Sequence, residues 1–343
     1  MTWFIRQARP ADLPDLQRLA KKLDSINLPS DRSVILEVIR RSQQSFASPQ
    51  KGWGYGQYLF VLEESRGQRV IGSSQILDKH GIVNRPYISF KLVRVEKFSR
   101  TTGRRFTHTC LKLEWNPEGI TEIGGLILDE RHRSHPDKLG KLLSYVRFLY
   151  MAMHPEKFRA EILAELLPPL DKNGISAFWE HVGKKFTGMD YKDANTKCRT
   201  NAEFMFSLFP HTLIYINLLP EKIQKLIGAV HPDTQPVVRM LESIGFRCTD
   251  DVCPFDGGPH FRANMNDVTL IKRCRAMKAV AGKTKESTDS KTAAPVLIGH
   301  DTGEEFRAYY TKIEPRESEI RIDPKLMKNL GIESGQIVHI LPL

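Results

Sequence analysis

The chain is 343 residues long, 41% hydrophobic, 27% charged and 9% aromatic, which excludes disordered, collagen-like and disulfide-stapled classes and leaves a globular protein with a real core. At about 100–200 residues per domain, the length predicts two domains with room for a small appendage. Fifty-one Lys and Arg against 40 Asp and Glu give +11 at pH 7, which favours anionic partners: nucleic acid, acidic lipid or a phosphorylated cofactor.

The segment IRQARPADLPDLQRLAKKL predicts a short strand, a turn at Pro10 and a helix on which Leu13, Leu16, Leu19, Ala20 and Leu23 recur at helical spacing. Asp12 stands where an acidic residue favours a helix start. A second helix follows, with Val34, Ile35, Val38, Ile39 and Phe46 on one side and Ser30 or Asp31 as N-cap, and NLPS joins the two. YLFVLEE and VIGSSQIL, separated by SRGQR, read as a hairpin, and PYISFKLVRV and FTHTCLKLEW continue the antiparallel pattern. A strand from Ile123 to Leu128 then runs through a polar loop into a helix. That helix places Leu139, Leu142, Leu143, Val146, Leu149, Tyr150 and Met153 on one face and Lys141, Ser144 and Arg147 on the other.

Beyond Pro155, EKFRAEILAELLPPL is expected to be helical up to its prolines, and SAFWEHVGKKF and AEFMFSLFP are further helices. HTLIYINLL is strand-like, PEKIQKLIGAV opens with Pro at a helix start, and TQPVVRMLESIGFRC closes a helix at Gly245 before a strand. FDGGPHFRANM reads as a turn plus a strand. From Ala276 to His300 the composition shifts to Lys, Thr, Ser and Ala and predicts a linker, after which strands return around one short helix. No apolar run approaches the ~20 residues of a membrane span, and MTWFIRQARPADLP lacks the features of a signal peptide, so a cytoplasmic protein is expected. Cys110, Cys198, Cys248, Cys253 and Cys274 are scattered as reduced thiols are, and the C-x4-C spacing near His260 lacks the second ligand pair of a metal site.

The loop DERHRSHPDKLGK leads into a helix N-terminus, whose unpaired N–H groups and positive dipole end suit a pyrophosphate. Arg131, Arg133, Lys138 and Lys141 add cations there and Gly140 permits close approach; the alternative is a plain solvated basic loop. With the hairpin before it, this order resembles the Gcn5-related N-acetyltransferase superfamily, in which the pyrophosphate of coenzyme A sits on a Q/R-x-x-G-x-G/A loop. Arg133 opens the corresponding stretch and Gly140 closes it, with a longer, glycine-poor S-H-P-D-K-L between them.

A closer resemblance lies in FWEHVGKKFTGMDY, FPHTLIYINLLPEKIQKLIGAVHPDTQPVVRMLESIGF and FDGGPHFRANMNDV, joined by YLFVLEE, PYISFKL, LILDERHR and KLLSYVRF. Over residues 3–275 the chain resembles the arginine N-succinyltransferase family. The resemblance implies an α/β (α+β) acyltransferase of two Gcn5-related N-acetyltransferase-like lobes around mixed, mostly antiparallel sheets. An acyl-CoA lobe is expected over residues 1–154 and a second lobe, carrying the catalytic histidine, over 155–275. A linker over 276–300 and a small C-terminal β unit over 301–343 complete the chain. The implied reaction moves succinyl from succinyl-CoA, with acetyl-CoA as the alternative donor, to the α-amino group of arginine or a related basic amino acid, without a metal.

His231, in VHP, is the residue the family singles out as catalytic. The departing thiolate, with a free-thiol pKa of about 8.5, must take a proton, which makes His231 a general acid to the CoA sulfur, with a base role on the amine as the variant. Leu126, within GGLIL, is implied to meet the thioester region through its backbone N–H, and Gly124 and Gly125 let the ligand approach. Arg133, Gly140 and Lys141 are the expected holders of the cofactor. A guanidinium needs carboxylates, and Glu180, Asp190 and Asp256 are candidates, each also readable as a structural hydrogen-bonding partner. The family further implies association of like or paired subunits; on the sequence itself, neither a membrane nor a nucleic-acid partner is expected. RIDPKLMKNLGIESGQIVHILP resembles the swapped-hairpin DNA-binding domains of bacterial transition-state regulators, so a DNA-binding regulator and a catalytically inactive acyl-CoA-binding relative are the competing readings. The basic residues are spread along the chain rather than gathered in one stripe, which speaks against DNA.

Overall fold

The computed structural model describes residues 3–21, 30–47, 56–64, 69–83, 85–171, 173–282, 294–313 and 319–343. The expected connector NLPS and turn SRGQR lie, but for Ser30 and Arg69, outside them. In chain order the first elements are β1 (Trp3–Gln7), α1 (Leu13–Lys21), α2 (Arg32–Ala47), β2 (Gln57–Glu64), β3 (Arg69–His80), β4 (Tyr87–Phe98), β5 (Arg105–Asn116), β6 (Ile120–Leu128) and α3 (Leu139–Met153). Next come β7 (Glu161–Glu165), α4 (Ala177–His181), α5 (Gly183–Thr187), α6 (Tyr191–Cys198), α7 (Glu203–Leu208), β8 (Ile214–Tyr215), α8 (Glu221–Gln224), α9 (Gln235–Ser243), β9 (Arg247–Val252) and β10 (Pro259–Asn264). The chain ends with α10 (Thr269–Arg273), β11 (Arg275–Ala281), β12 (Ala294–Asp301), β13 (Phe306–Ile313), β14 (Glu319–Ile322), α11 (Pro324–Leu330) and β15 (Ile337–Pro342).

These elements form two units, and the units are not consecutive in sequence. The first comprises Met1–Asp78, Ile123–Arg159 and Met265–Leu343; the second comprises Lys79–Glu122 and Ala160–Asn264. The expected succession of lobes over 1–154 and 155–275 is therefore replaced by an interleaved one. Hydrogen bonding explains it: β4 pairs with β9 through Phe90 and Val252, and β13 pairs with β1 through Ala308 and Ile5.

In the first unit the strand order is β14-β11-β15-β12-β13-β1-β2-β3-β6. The β11–β14 pair is parallel, whereas β1, β2 and β3 and the β12–β13 pair are antiparallel. Asp31 caps α2 by accepting from the Ser33 and Val34 N–H groups at 2.8 and 3.1 Å. Leu16, Leu19, Ile35 and Ile39 from α1 and α2 are buried with Leu59, Val61 and Val70. Around Tyr150 on α3, the rings of Phe46, Tyr58, Phe60, Phe158 and Phe306 meet at centroid distances of 5.1–6.1 Å. Phe306 comes from the expected separate C-terminal piece, which therefore contributes to the core of this unit. The expected linker likewise contains β11 and β12, with Met277, Ala279 and Val296 buried; its Lys- and Ser-rich centre, residues 283–293, lies outside the described residues. Neither Ser144 nor Arg147 faces solvent as the helical pattern predicted, because α3 is packed against β2, β12, β15 and α10.

In the second unit the order is β6-β7-β10-β9-β4-β5-β8, β6 contributing its first residues. Only β6–β7 is parallel; β10 runs antiparallel to both β7 and β9, β4 to β9 and β5, and β8 to β5. The helices bury Phe178, Trp179, Tyr191 and Phe209 with Phe90, Leu111 and Val252. Trp179 stacks on Phe255 at 5.0 Å, and its indole N–H donates to the Met189 carbonyl at 2.9 Å. One expected helix is a strand. EILAE forms β7, bonded on both edges, with Ile162, Leu163 and Ala164 buried, so the ladder overrides the helical preference of its Glu, Leu and Ala.

The aromatic core of the first unit gives a direct test. Phe306→Ala removes a fully buried ring and is expected to destabilise the protein by about 3–5 kcal/mol, read from the urea midpoint. Ile337→Ala, at an exposed position, should change it by less than about 0.5 kcal/mol. Equal midpoints for the two variants would contradict the shared core.

Candidate active site

The end of β7 gathers the ionisable groups of the second unit. Glu122 pairs with Leu163 across the parallel β6–β7 ladder, and Glu165 pairs with His260 across β7–β10. Since Leu163 and Glu165 are two residues apart on one strand, Glu122, Glu165 and His260 lie on one face. Glu122 is 2% exposed and forms a short hydrogen bond with His80 Nδ1. Burial disfavours the His80 imidazolium, but the Glu122 carboxylate outweighs this and raises its pKa.

Glu165 has no such partner. Among the described residues its contact is His260 Nε2 at 3.6 Å, and its side chain is 28% exposed. Burial and then the charge of Glu122 push its pKa well above the ordinary carboxylate range, with Asp256 adding and His80 opposing. His260 is fully buried. Burial drives the Tyr87 phenol far up, so it stays protonated and donates to His260 Nδ1 at 2.6 Å; burial lowers His260 to about 3, so the ring is neutral. Its one proton therefore sits on Nε2, which has no hydrogen-bond partner among the described residues and faces Glu165. Asp256 is 5% exposed and accepts from the Gly258 N–H at 2.8 Å; burial raises it to about 6 against the opposing pull of the Gly258 N–H and the Cys253 thiol. Arg262 is held by Asp251 at 2.8 Å.

The FDGGP turn closes this site. A Cβ on Gly258 would stand 2.3 Å from the Leu166 carbonyl oxygen, so only glycine lets the turn lie against the end of β7. Gly257 accepts at its carbonyl from the Gly228 N–H at 2.8 Å, and the His231 N–H donates to the Leu167 carbonyl at 3.1 Å. His231 is thus anchored to the residue two beyond Glu165. Its Nδ1 accepts from the Asp233 N–H at 3.2 Å, which leaves the proton of the neutral ring on Nε2, and the side chain is 41% exposed.

The other expected residues lie in the first unit. Gly125 breaks the run of β6 with φ +57°, and a Cβ there would meet Gln75 Cγ at 2.9 Å. Half-buried Leu126 follows it. Arg147, 3% exposed, donates to the Ser144 carbonyl at 3.0 Å, the Ser144 hydroxyl at 2.6 Å and the Gly124 carbonyl at 3.4 Å; burial lowers its pKa to about 9. Ahead of α3, Arg133, Ser134, His135, Pro136, Lys138, Gly140 and Lys141 line an open depression of about 450 Å³. Lys138 enters the helix with φ +52°, and no side chain caps it. Burial, then the charges of Lys138 and Arg273, lower the pKa of Lys141.

Of the expected site residues, the structure brings Arg133, Gly140 and Lys141 together, and it places Asp256 and His231 around the end of β7. It does not bring Glu180 and Asp190 there: both are bonded to Lys184, at 3.0 and 2.7 Å, as a surface ion pair. Sequence reasoning missed Glu122, Glu165, His80 and His260. Reading EILAE as a helix hid Glu165, whereas Glu122, just ahead of Gly124 and Gly125, was open to notice.

Residues 3–270 match the family model described as arginine N-succinyltransferase beta subunit, and residues 277–342 match that of its C-terminal domain. An arginine N-succinyltransferase of Yersinia enterocolitica is 30% identical over 346 residues, covering 99% of this chain and 97% of that protein. One from Salmonella arizonae is 29% identical over 344 residues with the same coverage. Among solved structures, arginine/ornithine succinyltransferase subunit AI from Pseudomonas aeruginosa aligns with a TM-score of 0.84 at 27% identity, covering 99% of this chain and 98% of that one.

The raised pKa of Glu165 makes a prediction about stability. A carboxyl that holds its proton longer when folded stabilises below its unfolded pKa, and that contribution is lost as pH rises through the native value. Glu165→Gln should therefore match wild type in thermal midpoint near about pH 4 and exceed it increasingly towards about pH 8.5. A difference that stays flat across this interval would show that Glu165 is compensated.

Proposed function

The chain belongs to the arginine N-succinyltransferase beta subunit family, and on that premise we propose that it transfers succinyl from succinyl-CoA to the α-amino group of arginine or a related basic amino acid. The full-length similarity carries the reading, and the cationic depression before α3 supports it. Burial and then the charges of Lys138 and Arg273 disfavour the Lys141 cation there, an imbalance that a pyrophosphate relieves. Arg133 and Lys141 pair with the phosphates, while Gly140 and the uncapped first turn of α3 offer backbone N–H groups.

Succinyl-CoA supplies a thioester whose acyl carbon is open to a neutral amine. The Leu126 N–H, beside the irregular Gly125, donates to the oxygen on which charge develops. Arg147, a buried cation on the Gly124 carbonyl, keeps this backbone in place. In this role His231 is the imidazolium and delivers its Nε2 proton to the departing sulfur, whereas the resting neutral ring accepts the Asp233 N–H on Nδ1. Buried His260 is unsuited to that step, since its environment keeps it neutral far below physiological pH.

Thiol release from succinyl-CoA and from acetyl-CoA, with arginine, ornithine, lysine and agmatine as acceptors, tests the reaction. Release is expected with succinyl-CoA and at least one α-amino acid of the panel, and no release with any amine overturns it. His231→Ala should lower kcat by about 10²–10⁴-fold, the range of a lost general acid. Arg133→Ala with Lys141→Ala should raise KM for succinyl-CoA and leave KM for the amine unchanged.

A further inference from the structure

We propose that Glu165, backed by Glu122 and Asp256, receives a nitrogen cation of the basic amino-acid substrate, either its α-ammonium or its side-chain cation; the assignment rests on reading the chain as an N-acyltransferase of basic amino acids. The charge inventory of the second unit leads to it. Structural carboxylates in this unit carry their own cations: Glu122 has His80, and Asp251 has Arg262. Glu165 and Asp256 have none bonded to them among the described residues. Of the three clustered carboxylates, Glu122 and Asp256 are 2% and 5% exposed, whereas the Glu165 side chain is 28% exposed and is the one a ligand reaches.

A second observation points to an occupant. The buried His260 Nε2–H is turned toward the Glu165 carboxylate at 3.6 Å, beyond hydrogen-bond distance, and is bonded to nothing among the described residues. A buried donor and a half-buried carboxylate left apart are both costly, and a cation that draws the carboxylate into a bonded position relieves the larger of the two penalties. The groups do not converge as metal ligands among the described residues, so a hydrogen-bonding nitrogen cation is the fitting class. The position suits the reaction as well. His231 is bonded through its backbone to Leu167, two residues beyond Glu165, so the cation binds on the strand end that carries the proton donor.

Calorimetric titration of arginine into the full-length, CoA-saturated protein tests the assignment. Wild type should bind, and Glu165→Gln should weaken arginine at least about tenfold, the scale of one charge-assisted hydrogen bond. CoA affinity, which serves as the control for folding, should not change. Glu165→Asp, which keeps the charge, should recover part of the loss. Norvaline carries only the α-ammonium and Nα-acetylarginine only the guanidinium, so the one whose binding fails in Glu165→Gln identifies the end that is held. Equal arginine affinity in wild type and Glu165→Gln, or no arginine binding by wild type, overturns the proposal. Arginine binding that depends on Glu165 without CoA release from any amine would instead sink the acyl-transfer reading and leave the cation site standing.

Discussion

Three carboxylates placed together, Glu122 bonded to His80 and Asp256 to the Gly258 N–H, are the constraint around which the second unit is arranged. Charges out of water cost several kcal/mol each unless paired, so such a cluster persists only where the surrounding backbone leaves the side chains no escape. The two ladders of β7 provide this. The parallel pairing to β6 puts Glu122 and Glu165 on one face, and the antiparallel pairing to β10 brings His260 to the same face. Tyr87, whose ring packs with Ile120 and Leu163, then fixes the imidazole from behind. A helix over residues 161–165 would splay these groups around its axis and dissolve the cluster.

Around that strand end the chain relies on close backbone approach. The Gly258 turn lies on Leu166, the Gly257 carbonyl holds Gly228, and His231 hangs from Leu167, so backbone hydrogen bonds rather than side-chain packing set where the histidine stands. The first unit uses the same means at Gly125, where positive φ interrupts β6. There the buried cation is Arg147, which binds carbonyl and hydroxyl oxygens instead of a carboxylate. Each unit thus stores an incompletely compensated charge beside an irregular, glycine-dependent stretch of backbone, which is the kind of arrangement that perturbs pKa values at working sites.

Hydrophobic periodicity made much of the fold legible: α1, α2, α3 and the β2–β3 and β4–β5 pairs stand where it placed them. It failed where tertiary pairing decides. EILAE has helix-forming residues but two strand neighbours. Ser144 and Arg147 belong to a polar stripe that is buried, with Arg147 reaching the Gly124 carbonyl of β6. The interleaving of the units is invisible to local pattern, because it follows from which strand β4 and β13 find. At the site, Asp256 and His231 were both reached through family resemblance. Glu180 and Asp190 misled because their sequence neighbourhood says nothing of Lys184, four residues after the first and six before the second.

The net charge of +11 poses a difficulty that the local arrangement answers. A basic surface draws in a polyanion such as an acyl-CoA but repels a basic amino acid, so one field cannot recruit both. At physiological salt the field fades over a Debye length of about 8 Å, and exposed charges beyond it act weakly. Buried groups are screened far less. A partly exposed carboxyl at a strand end, with two buried carboxyls behind it, therefore outweighs a diffuse positive excess for a ligand already at contact, while the excess still governs approach of the polyanion. The scattered lysines and arginines and the compact acidic cluster thus act over different distances.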